Sequence, residues 1–148
     1  MHLSNGLTVI SPAEVQEVLS EAVRQEVPVF VLTTGGQADR DSFFREVRKA
    51  LPLDPPLSSS RSWDALSDSL WEGLRLHSSQ RMVILWGDAG PRDSRTEEEF
   101  RIALEVLRDV AETLSDPVIT NSRPKQLSVY VATEPSSGSM DGATETPT

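Results

Sequence analysis

Arg81-Met82-Val83-Ile84-Leu85-Trp86 decides the fold, because it reads as the best strand in the chain. It is a short apolar run rich in β-branched and large side chains, ended by polar residues 87–95. Upstream, Val29-Phe30-Val31-Leu32 reads as a buried strand ended by Gly35-Gly36. Between the two strands the period changes. Phe43, Phe44, Val47 and Leu51 make one face of a helix from about Asp39 to Leu51, which Pro52 ends. Residues 52–62 hold three prolines and four serines, so they form no regular element. A further helix begins near Ser62 and covers Trp63 to about Leu74.

The pattern extends both ways. Asn5-Gly6 signals a turn and Leu7-Thr8-Val9-Ile10 a short strand. Ser11-Pro12-Ala13-Glu14 is a capping box, with proline at the first helical position. Val15, Val18, Leu19, Ala22 and Val23 follow at helical spacing, and Pro28 stops that helix. Downstream, Thr96-Glu97-Glu98-Glu99 reads as a second capping box. The helix after it carries Phe100, Ala103, Leu104, Leu107, Ala111 and Leu114 on one face and ends at Asp116-Pro117. Leu127 to Val131 is a final strand, and from Glu134 onward composition predicts a disordered tail. The order βαβααβαβ predicts an α/β fold: a small three- to four-stranded, mostly parallel sheet packed with helices. Trp63, Leu66, Leu70, Val83, Leu85, Leu104, Leu107 and Val129 are the expected core.

The chain has 148 residues, the length of one domain, and no cysteine, so disulfides and thiolate sites are excluded. Val27–Leu32 and Met82–Trp86 are too short to span a bilayer, and Met1 to Ile10 has no signal-peptide pattern. The expectation is a cytoplasmic protein without a membrane partner. Net charge is −9, from 23 acidic and 14 basic residues, and residues 1–133 keep −6 of it. That field disfavours nucleic acid and attracts basic proteins. Acidity that only keeps the domain soluble remains an alternative.

The residues of catalysis are scarce. His2 sits at the terminus, and His77 lies in a polar link with no ligand at metal-binding spacing. Gly35-Gly36 lacks the lysine of a phosphate cradle, and no HExxH or G-x-S-x-G pattern is present. Asp88 and Asp93 flank Gly90-Pro91, but Arg92 and Arg95 weaken a magnesium site there. No catalytic set, metal site or cofactor is expected, so the chain reads as a non-enzyme.

Carboxylates do line up in one place. Asp64, Asp68 and Glu72 stand at i, i+4 and i+8 and share one helix face, rising about 6 Å per step. Like charges at this spacing destabilise a helix by roughly 0.2–0.5 kcal/mol per pair. The stripe is either a solvated face or a binding surface. Trp71 lies toward that face and is either an interface anchor or packed under the preceding loop.

Ser62-Trp63-Asp64-Ala65-Leu66-Ser67-Asp68-Ser69-Leu70, then Val83-Ile84-Leu85-Trp86, resembles the core of the barstar family of bacterial ribonuclease inhibitors. The resemblance covers about Val29 to Ala132 and implies a barstar-like domain at 29–133. Residues 1–28 then form an N-terminal strand–helix extension, and 134–148 the tail. It implies an intracellular inhibitor or immunity protein, monomeric when free, that blocks a small basic ribonuclease or related toxin through an acidic helix. By the resemblance, Asp64, Asp68 and Asp109 fall at partner-binding acidic positions, with Ser60, Arg61, Ser67, Trp71 and Glu72 around them. The loop departs from the family pattern. Ser58-Ser59-Ser60-Arg61-Ser62 stands where aromatics, a glycine and an asparagine are usual, and Ser67 replaces a tryptophan. That departure supports the alternative of a barstar-fold interaction or regulatory module with a non-nuclease partner.

Overall fold

The computed structural model describes residues 2–57, 62–91 and 93–134. Its order is β1 (Gly6–Ile10), a 3-10 turn (Pro12–Glu14), α1 (Val15–Arg24), β2 (Val29–Leu32), α2 (Arg40–Ala50), α3 (Trp63–Leu76), β3 (Arg81–Pro91), α4 (Glu97–Leu114) and β4 (Gln126–Glu134). The four strands form one all-parallel sheet in the order β1-β4-β3-β2. Parallel neighbours need crossovers, and helices supply them.

The first strand is part of this sheet. β1 pairs in register with β4, from Gly6 beside Ser128 to Ile10 beside Ala132. β3 and β4 are therefore interior strands, apolar on both faces. Met82, Ile84, Trp86, Leu127, Val129 and Val131 point into a large core under α2, α3 and α4. Val83, Leu85, Tyr130 and Ala132 point the other way, into a smaller core with Leu3, Val18 and Ala22. The expected core is thus divided. Leu66, Leu70, Leu107 and Val129 lie in the large cluster, with Trp63 and Leu104 half-buried at its margin, and Val83 and Leu85 lie in the small one. Val23, expected on the apolar face of α1, is 76% exposed.

Two further expectations are corrected. Residues 87–91, read as loop, continue β3 past a register shift between Trp86 and Gly90. Their hold is tertiary. The Asp88 carboxylate accepts from the amides of Thr34 (2.9 Å) and Gly35 (2.8 Å), and the Asp88 carbonyl accepts from the Gly36 amide (2.9 Å). Gly90 has φ +87°, and a Cβ there would lie 2.3 Å from the Gly36 carbonyl oxygen, so only glycine fits. The capping box expected at Thr96 is also absent: the Thr96 side chain makes no cap bond. Glu99 instead accepts from the Arg40 amide (2.6 Å), satisfying an orphan N–H at the start of α2. The box at Ser11 is present, with the Glu14 carboxylate accepting from the Ser11 amide (2.8 Å).

Candidate functional site

α3 begins where the Ser62 hydroxyl accepts from the Ala65 amide (3.3 Å). Its rotation is set by burial of Leu66, Leu70, Gly73 and Leu74. Gly73 is where the chain comes closest: a Cβ there would lie 2.1 Å from the Pro52 carbonyl oxygen. The Ser69 hydroxyl donates to the Pro55 carbonyl and the Ser69 carbonyl accepts from the Asp54 amide. The proline-rich loop is thus tied to the inner side of α3, and the outer side stays open.

Asp64 and Asp68 are exposed on that outer side. α4 packs beside α3 and buries Val106, Leu107, Val110 and Ala111, which leaves Asp109 exposed. The two helices bound a groove of about 490 Å³. Ser67, Asp68, Trp71 and Glu72 line it from α3, Asp109, Val110 and Thr113 from α4, and Ile119 from the turn beyond. Asp64 sits one turn before Asp68, outside the lining. Ser60 and Arg61 lie outside the described residues.

The carboxylates of the groove are not equivalent. Glu72 is engaged by Arg75, whose Nε donates to it at 2.9 Å with a second bond from Nη2. That fork holds the Glu72 carboxyl below its usual range. Among the described residues, Asp64, Asp68 and Asp109 have no such side-chain partner. Asp68 and Asp109 therefore present two open anions, from separate helices, to one cleft. A cation entering it would meet charge on both walls.

Trp71 is half-buried; it packs against the large core and lines the groove. The Arg75 guanidinium lies 5.8 Å from its ring centroid, and the Trp71 Nε1 is buried with no hydrogen-bond partner among the described residues. Sequence reasoning missed an apolar residue of the groove: Ile119, which lines it, is 50% exposed, and its neighbour Val118 is 87% exposed. An adjacent apolar pair in the polar stretch between Asp116 and Lys125 was the available signal. Two other candidates have structural work to do. Asp88 holds the loop after β2, as above. His77 accepts the Ser79 amide at Nδ1 (3.1 Å) and stands edge-on to Phe30.

Among the described residues no helix is long and apolar enough to cross a membrane. Neither a curated protein nor a solved structure matches the chain significantly. The family model for barstar (barnase inhibitor) matches residues 27–132. That span runs from just before β2 into β4 and contains both helices of the acidic groove, and the chain belongs to the barstar family.

Proposed function

We propose that this chain is an inhibitor or immunity protein that blocks a small basic ribonuclease or related toxin by seating the groove between α3 and α4 on it. The observation that carries the reading is the pair of open carboxylates, Asp68 and Asp109, facing one cleft beside a half-buried tryptophan. Carboxylates so placed can occupy the positions of substrate phosphates and bind the cationic side chains that hold them. Asp64 extends the negative surface by one helical turn and acts chiefly in steering. Ser67 and Trp71 supply contact area, and Ser60 and Arg61 belong to the adjoining loop. The reading is of a non-enzyme acting inside the cell.

The test compares two substitutions on one helix. Asp68→Ala removes an open anion that the partner's cation would meet in a desolvated contact, a loss of roughly 2–5 kcal/mol seen mostly in the off-rate. Glu72→Ala removes a carboxylate already satisfied by Arg75 and is expected to change mainly the on-rate and its salt dependence. Each variant is titrated against small basic ribonucleases and any toxin encoded beside this protein. Binding that is insensitive to Asp68→Ala refutes the groove as the interface. One observation favours a second reading, a non-nuclease partner: the loop before α3 carries serines and the cation Arg61. Wild-type protein that binds none of the nucleases supports that reading instead.

A further inference from the structure

Beyond the acidic groove, we infer that a basic cleft at the C-terminal end of α3 is a binding site for a phosphate-class anion. The cleft has a volume of about 530 Å³ and is lined by Arg75 and His77 from the end of α3, Gln80, and Ser122, Arg123 and Lys125 from the segment entering β4. A second cleft shares Gln80 and Lys125 with it and adds Arg81. A chain with 23 acidic and 14 basic residues thus gathers four of its bases around adjoining clefts whose linings, among the described residues, contain no carboxylate.

Of the nearby acids, Glu72 lines the other groove and pairs with Arg75 through Nε and one Nη, which leaves the rest of that guanidinium fork to the cleft. The Asp116 carboxylate accepts from the amides of Val118 (2.8 Å) and Ile119 (3.4 Å). Three of the four cations, Arg75, Arg81 and Lys125, are held in place. The Lys125 ammonium donates to the carbonyls of Ser79 (2.7 Å) and His77, and its third N–H has no partner among the described residues. Burial, and then the like charge of Arg75, hold Lys125 below its ordinary value; a bound anion relieves that repulsion. Arg81 donates to Gln25 with one nitrogen of its fork (2.6 Å). Arg123 is exposed, and its guanidinium has no partner among the described residues. Several cationic donors converging with the Ser122 hydroxyl and the Gln80 amide suit a multi-oxygen dianion better than a single carboxylate. The ligand is a phosphate group, carried by a small molecule or by a phosphorylated side chain.

The test is an NMR titration of the full chain at constant ionic strength, with chloride as the reference salt. The probes are inorganic phosphate and a phosphoserine peptide. Saturable shifts are expected for the amides of residues 75–77 and 122–126. Arg123→Gln should weaken binding roughly tenfold, the size of one charged hydrogen bond. Arg101→Gln, which removes the same charge from the far exposed side of α4, should not. A phosphopeptide that binds more tightly than free phosphate assigns a protein-borne ligand, and equal affinities assign the free anion. Shifts that chloride reproduces, that fail to saturate, or that persist unchanged in Arg123→Gln overturn the proposal.

Discussion

Leu85→Ala tests whether the face of the sheet under α1 is a true core. Leu85 is 1% exposed, stands between Val31 and Tyr130 in the sheet, and points into the cluster containing Val18 and Ala22. The substitution removes three carbons at about 0.8 kcal/mol each in transfer free energy. The interior strands limit how far the site can collapse, so a cavity contribution adds to that, for a total of roughly 3–4 kcal/mol. At about 2–4 °C per kcal/mol for a chain of this size, the melting temperature should fall by about 6–16 °C. Val31→Ala is the control, since Val31 on β2 is 46% exposed and should change stability by less than about 1 kcal/mol. Urea and thermal melts of both variants are the assay. Val18→Ala combined with Leu85→Ala should be non-additive by at least about 0.5 kcal/mol, because the two side chains share one cluster. If Leu85→Ala costs no more than Val31→Ala, α1 does not seal this face and the two-core description is wrong.

Three further outcomes are expected. Gly73→Ala gains about 1 kcal/mol of helix propensity, yet its Cβ would overlap the Pro52 carbonyl; overpacking of about 1–3 kcal/mol or more should win and lower the urea midpoint. Asp39→Ala removes the cap on the Ser42 amide (3.0 Å) and should cost about 1 kcal/mol near neutral pH. Burial raises the Asp39 carboxyl, but its bonds from the Ser42 side chain and backbone outweigh that and leave it below its ordinary value. Its contribution is therefore present above about pH 4 and lost as pH falls through the folded-state value, so wild type and variant should converge in acid denaturation profiles. Ending the chain after Glu134, the last residue of β4, should leave the melt cooperative and unshifted, since residues 135–148 offer Met140 as their largest apolar group.

Much of the fold was legible because its signals are local. The runs at Val29–Leu32 and Arg81–Trp86, the helical spacing from Phe43 and from Phe100, and the Ser62 cap each depend on residues within a turn or two of one another. The departures arose where a local signal met a distant competitor. Gly87 to Gly90 has loop composition, yet the Thr34–Gly36 segment holds it as strand. Glu99 could have closed its own helix's capping box, but the start of α2 lies within reach and takes it. Val23 has helical spacing with Val15 and Leu19, but the residues α1 buries in the smaller core are Val18 and Ala22, and Val23 lies outside it.

By itself, the sequence determined the kinds of element, their order, and the shared face of Asp64 and Asp68, since a helix of 3.6 residues per turn leaves that spacing no other outcome. Asp109 was reached only through a family resemblance, because no periodicity links positions on different helices. Tertiary structure alone decided that β1 lies beside β4, that the apolar residues divide into two cores, and that Asp68, Asp109 and Ile119 border one groove. Those neighbours are far apart along the chain. What brings them together is burial of both faces of β3 and β4, a contest among all the apolar surfaces at once that no local stretch of sequence records.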